Sequence, residues 1–259
     1  MAGDQEKVQG ANGTAAEPGP VRGTALVTAP DTRGLENFDM DDMVFPRVRI
    51  VQPSGTGDGW VAGQFLLESE SVQVKEITCV FISQKKTRTL FRDRVPVCQS
   101  RDAQHPDTGA NPDGEMVLCH ECPHANWTTK EEDGKRMPPK CTLQYNLLGI
   151  PAEGVPFTIA LHGMSTMPVR KFLSVFKARG VPLFSARVTL QLEKKENAKG
   201  IYFVAKFAGF QWLSPDERVE YEALYNRYQQ FDLGVADVVD TEPAAPEDTT
   251  VVGEERTPF

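Results

Sequence analysis

Long apolar runs are missing from this chain. No stretch of its 259 residues approaches the roughly 18 consecutive apolar positions that a helical membrane span requires. The opening MAGDQEKVQGANGTAAEPGP has neither a basic start nor an apolar stretch, so no secretory leader is expected. Without routing to an oxidising compartment, thiols are expected to stay reduced, in a cytoplasmic setting. Cysteine is scarce, at five, as are histidine, at four, and tryptophan, at three. A scaffold built on many disulfides is thereby excluded, and each cysteine needs its own explanation. No nucleophile–base pair, phosphate-binding glycine loop or paired-carboxylate motif stands out, so the expectation is a protein that is not an enzyme. Asp102 and Asp107 remain the acids that could serve a nuclease.

The charge is unevenly spread. The whole chain carries −8, but residues 1–44 account for −5 and residues 236–259 for −6, leaving +3 on 45–235. A mildly basic body between acidic ends stays compatible with nucleic acid, which the acidic total alone would have argued against. Residues 1–40 and 233–259 have too little apolar content to offset chain entropy and are expected to be disordered. The folded domain is expected to span 41–232.

Within it, period-two alternation dominates and predicts strands at 45–52, 71–82, 142–150, 156–162, 186–192 and 200–212. Cys79 falls in the second of these as a small core residue. In the last, alternation puts Phe203 and Phe207 on one face, and Tyr202, Lys206, Phe210 and Trp212 on the other. Two helices are expected. STMPVRKFLSVFKARG offers Ser165 or Thr166 as cap, Pro168 in the first turn, a Val169–Phe172–Phe176 stripe and Gly180 as stop. The second starts at Ser214-Pro215-Asp216-Glu217, a capping box with proline at the first helical position, and runs to about Phe231. Mostly antiparallel strands with two helices suggest a small β-barrel.

Residues 95–145 do not fit that pattern. They are loop-like and hold four of the five cysteines, as C-x20-C-x2-C-x18-C over Cys98, Cys119, Cys122 and Cys141. A C-x2-C turn aims two thiolates at one tetrahedral ion, and the outer cysteines sit where the chain leaves one strand and returns on another. A Zn2+ held by four cysteines would order the insertion and leave no open position, which makes it structural. His105, His120 or His124 could replace one cysteine. Four thiols packed as small apolar residues would need a core this segment lacks the composition to build. A redox pair needs a βαβ context that is absent, and a nucleobase deaminase needs a different motif order.

QKKTRTLFRDR (84–94) sets Lys85, Lys86, Arg88, Arg92 and Arg94 around Phe91, a pattern suited to single strands, with cations on phosphates and rings on bases. A solvated strand edge is the plainer reading. Tyr202 and Lys206 add a ring and a charge on the last strand. Arg170, Lys171, Lys177 and Arg179 add charge on the first helix, where they also suit a wet face. The chain closes on GEERTPF. Glu254 and Glu255 before Pro258 and Phe259 resemble the acidic Pro-Phe tails with which bacterial single-stranded DNA-binding proteins dock partner enzymes.

Four motifs extend the likeness: Pro46 to Gln52, Cys98-Gln99-Ser100-Arg101-Asp102, Cys119 to Pro123 with Trp127, and Pro139-Lys140-Cys141. Over roughly 45–212 the chain resembles a group of bacteriophage single-stranded DNA-binding proteins. That resemblance implies an OB-like barrel holding single strands without strong sequence preference, in DNA replication or recombination in a bacterial host's cytoplasm. The other class of function compatible with the residues is a zinc-stabilised protein-interaction or regulatory module that binds no DNA.

Overall fold

The computed structural model describes residues 33–39, 42–54, 59–93, 95–129, 136–198 and 200–234. The expected N-terminal segment (apart from 33–39) and the tail from 235 onward lie outside them. Before the insertion come β1 (Arg47–Ile50), β2 (Phe65–Leu67), β3 (Val72–Val74) and β4 (Glu76–Arg92), and β5 (Val95–Ser100) opens it. Inside it, β6 (Thr128–Thr129) and β7 (Arg136–Met137) form a separate two-stranded ribbon. There follow β8 (Cys141–Pro151), β9 (Phe157–His162), α1 (Thr166–Arg179), β10 (Ala186–Asn197), β11 (Gly200–Trp212) and α2 (Pro215–Tyr228). None of the described helices is long and apolar enough to cross a membrane.

The fold is mainly β, with one mixed sheet of nine strands among the described residues, ordered β11–β10–β4–β8–β9–β1–β2–β3, and β5 also paired to β4. β1 runs parallel to β9, and the other pairings are antiparallel. β4, 17 residues long, is the axis. Its first residues pair with β10 and its last with β5, while β8 lines its other side from Cys79 to Leu90.

Alternation sends side chains to two separately covered faces. On one, Phe81, Leu147, Ile159, Val188 and Leu190 pack beneath Val169, Phe172 and Phe176 of α1. Phe172 stacks on Phe207 at 4.2 Å and meets Phe81 edge-on at 5.7 Å. On the other, Val80, Ile82, Leu148 and Ile150 pack with Tyr221 and Leu224 of α2. A register shift between Phe81 and Ser83 swaps the faces midway along β4, so Lys86, Arg88 and Leu90 continue the α1 face. That is the parity change one extra residue must cause.

Both helices start and stop largely as composition dictates. Ser214 Oγ accepts from Glu217 N at 3.3 Å while Glu217 Oε2 accepts from Ser214 N at 2.9 Å, completing the capping box. α2 ends at Tyr228, three residues short of the expected Phe231. Gly180 closes α1 at φ 64, donating to the Phe176 and Lys177 carbonyls. Ser165 does not cap α1. It is fully buried, and its hydroxyl accepts from Ala205 N at 3.1 Å, tying the helix start to β11.

The expected alternation along 200–212 fails at Gly209. There φ is +60, and the ladder to β10 shifts between Arg187 and Thr189. This bulge turns Phe210 and Trp212 onto the face of Phe207, where they meet Phe172 and Phe176. Among the described residues no strand ladder closes the sheet into a barrel. The end strand β11 is tied instead to the chain just after β1, at Gln52, whose Nε2 donates to the Phe203 carbonyl at 2.8 Å and whose Oε1 accepts from Phe203 N at 2.9 Å.

Candidate metal centre and nucleic-acid face

The sheet register itself brings two of the four cysteines together. Leu90 of β4 pairs with Cys98 on one side and Cys141 on the other, so both sulfurs leave the α1 face flanking one side chain. Adjacent strands lie about 4.8 Å apart, which places the two backbones about 10 Å from each other. Cys119 and Cys122 arrive on a tight turn in which Glu121 N and Cys122 N both donate to the Leu118 carbonyl at 3.0 Å. All four cysteines line a single cavity of ≈ 10 Å³ with Leu90, Pro106, Asn111, Pro112, His124 and Ala125. That is about the space one water or ion occupies.

Cys119, Cys122 and Cys141 are buried, Cys98 half-buried, and none is in a disulfide. Burial raises the Cys98 thiol, and the neighbouring Cys119 and Cys122 raise it further. Burial pushes Cys141 up to about 11, with the Arg88 guanidinium acting in the opposite direction. Among the described residues no group of three or more His, Cys, Asp and Glu side chains has metal-holding geometry; the four sulfurs share the cavity without meeting it. The donor chemistry still suits a tetrahedral ion. No carboxylate lines the cavity, and Asn111 Nδ2 approaches the Cys122 sulfur at 3.9 Å.

Contrary to the composition-based expectation, a small apolar cluster of Leu90, Cys122, Ala125 and Cys141, with Cys98 and Val117 packed against it, sits at the insertion, and polar side chains order the loops around it. Asp102 Oδ1 accepts from Ser100 Oγ, Gln104 N and His105 N, and its Oδ2 meets His105 Nδ1 at 2.8 Å. The His105 bond, helped by those backbone donors, holds the Asp102 carboxyl far below the usual range. Asn111 Oδ1 takes Asp113 N and Glu115 N, and Asn126 Nδ2 donates to the His120 and Cys122 carbonyls. Of the three candidate histidines only His124 borders the cavity, and its Nε2 is engaged by Asp113 at 2.7 Å. His105 and His120 are exposed.

The basic candidates separate into distinct places. Lys86 and Arg92 are exposed on β4 and form no ion pair among the described residues. Lys85, on the α2 face, is held by Asp232 at 2.6 Å, a carboxylate that Arg101 also approaches at 4.0 Å. Arg88 turns toward Cys141, and its buried Nε has no hydrogen-bond partner. Phe91 is half-buried and Lys206 exposed, whereas Tyr202 is only 8% exposed, so its ring has no free face for stacking. Arg94, Glu254, Glu255, Pro258 and Phe259 lie outside the described residues.

Three features escaped the sequence reading. β5 was hidden in loop-like composition. Arg88 looked like one base among several, although a strand register would have put it one step from the thiol row. The third is a buried polar strip on the α2 face. Thr87, Thr89, Gln144, Asn146 and His162 line it, Asn146 Nδ2 donates to Thr87 Oγ1 at 2.9 Å, and the Gln144 amide and Thr89 hydroxyl have no hydrogen-bond partner among the described residues. No protein-family model, curated protein or solved structure matches the chain.

Proposed function

We propose that this chain is a non-enzymatic single-stranded DNA-binding protein of the bacteriophage type, built on an OB-like barrel, that serves replication or recombination. The observation that carries it is β4. One strand presents Lys86 and Arg92 with no ion pair among the described residues and at the same time anchors the cysteine row. The topology supports the OB-like reading. A long strand pairs on its two sides with the second strand (β8) and the fourth (β10), and a helix lies between the third (β9) and the fourth. In that fold the loop between the first two strands borders the strand-binding face, and here it is the cysteine insertion.

In this reading Cys98, Cys119, Cys122 and Cys141 hold a structural Zn2+. A closed set of thiolates supplies folding energy and no open coordination position. Lys85, Lys86, Arg88, Phe91, Arg92, Arg94, Tyr202 and Lys206 were the sequence candidates for DNA. The geometry favours Lys86, Arg92 and Lys206 among them and draws Arg88 toward the metal. The acidic tail ending in Pro258 and Phe259 recruits partner enzymes. The test is a salt titration of a labelled oligonucleotide. Affinity should fall linearly on logarithmic axes, and Lys86→Glu with Arg92→Glu should weaken it. Binding indifferent to both salt and charge reversal would overturn the reading.

One observation favours a second reading, a zinc-stabilised protein-interaction module. Met116 at 88%, Trp127 at 42% and Leu118 at 36% are exposed on the insertion, an apolar outlay a docking surface would use.

A further inference from the structure

On the α1 face, beside the cysteine row, cations gather around one tyrosine. Lys86 is directly opposite Tyr145 in the β4–β8 ladder, and Arg88 is opposite Leu143, one step further along the same face. Directly opposed residues have their Cβ atoms about 5 Å apart, so the Lys86 chain rises next to the Tyr145 ring. From above, α1 packs against β8, and Arg170 lies exposed on that helix, one residue after the buried Val169. Burial raises the Tyr145 hydroxyl, and Arg170 and then Arg88 act against that rise, which puts both guanidinium groups within electrostatic reach of it.

No carboxylate answers these charges. Lys86, Arg88 and Arg170 form no ion pair among the described residues, and the Arg170 Nη1 contact is the Met167 sulfur at 4.0 Å. Two guanidinium groups within reach of one hydroxyl, with the Lys86 chain beside the same residue, repel one another unless an anion joins them. Solvated bases on a helix face would diverge into water; these converge from a strand and a helix far apart in the chain. Tyr145 is 6% exposed and fixed by the core, which gives the notch a rigid floor carrying an O–H donor.

We propose that Lys86, Arg88 and Arg170, set round the Tyr145 hydroxyl, form an anion site that takes a backbone phosphodiester of the bound strand. The site rests on the single-strand reading above and adds Arg170 and Tyr145 to it. Lys86 and Arg170 are exposed and neutralise the phosphate, Tyr145 donates a hydrogen bond, and Arg88, fixed against Cys141, closes the side nearest the insertion. Phosphate contacts of this kind position a strand without reading its sequence.

The experiment is fluorescence anisotropy of a labelled oligo-dT with the full chain across a salt series. Each phosphate contact on a single strand adds about 0.7 to the slope of log affinity against log salt. Lys86→Ala with Arg170→Ala, which removes the one phosphate contact, should therefore flatten the slope by about 0.7. Tyr145→Phe should weaken binding without changing the slope. Lys171→Ala, on the same helix outside the notch, should leave both unchanged. Both exposed residues can be replaced without emptying the core, so a folded variant is expected, and its circular dichroism confirms it. Wild-type protein that binds the strand while the double variant keeps the full slope would overturn the site and leave the single-strand reading standing. So would an equal loss from Lys171→Ala. Wild-type protein with no affinity for the strand would remove that reading, and the site with it.

Discussion

Removing the Gln52 amide should unfasten the end strand β11 from the chain that follows β1. Gln52 is 4% exposed and spends both amide atoms on Phe203, at 2.8 and 2.9 Å. It stands in for the neighbouring strand that β11 lacks there. The fit is close on both sides: Gly63, at φ +80, lies so near the Phe203 ring that an added Cβ would sit 2.4 Å from it. Two such bonds contribute about 1–3 kcal/mol net, and a peptide group left half-buried without a partner adds to the loss. Gln52→Leu should therefore cost about 2–4 kcal/mol in urea unfolding followed by tryptophan fluorescence. Gln52→Glu sharpens the test, because its ionised form can accept from Phe203 N but sets an oxygen against the Phe203 carbonyl. Only the protonated form can donate, so folding favours it and raises the introduced carboxyl above its unfolded value of about 4.3. That variant should come nearest to wild type below about pH 4 and lose stability as pH rises through its folded pKa. A Gln52→Leu variant within about 0.5 kcal/mol of wild type, or a Gln52→Glu variant whose deficit ignores pH, would refute the reasoning.

Chelation, or Cys122→Ser, should open 95–140 to limited proteolysis while amides of the β10–β11 ladder keep their exchange protection. Simultaneous loss of both would mean the insertion is part of the main folding unit. Arg88→Met should release the metal about tenfold more readily to a chromogenic chelator, because it withdraws the cation beside Cys141; unchanged release would place Arg88 outside the metal's surroundings. Gly209→Ala should cost about 1–2 kcal/mol, since φ +60 disfavours a side chain and the new methyl would stand 3.2 Å from Thr189 Oγ1; an unchanged melting curve would deny the bulge. Asp102 lends the 100–105 loop stability that is present above its unfolded pKa of about 3.9 and lost as pH falls through its lower folded value. Exchange protection of His105 N should therefore persist at about pH 4 in wild type and be missing at any pH in Asp102→Ala.

Helices and central strands were legible because their signals are local. Capping at Ser214, the stop at Gly180 and the alternation in ARVTLQL each depend on neighbours within one turn or one strand. Alternation predicts β4 only to Ile82, and the basic run after it reads equally as a solvated strand edge or a strand-binding stretch; pairing on both sides carries the strand ten residues further, to Arg92. The swap of Phe210 and Trp212 depends on one inserted residue, which a period-two pattern cannot register before the partner strand is known. Cys79 was placed correctly as a core residue, 1% exposed, since strand parity alone decides it. Spacing singled out the four cysteines that now line one cavity, but Arg88 and Asn111 beside them follow from the cross-strand register and the loop path. Tyr202 qualifies as a stacking ring only if its face of β11 is open, and the sequence leaves that face equally compatible with a covering element; the ring is buried.

The most direct measurement is a competition in which single-stranded and duplex forms of one sequence displace a labelled oligonucleotide from the 259-residue chain prepared with added Zn2+. The single strand should displace it at far lower concentration. Equal displacement by the duplex, or a probe that never binds, would contradict the account.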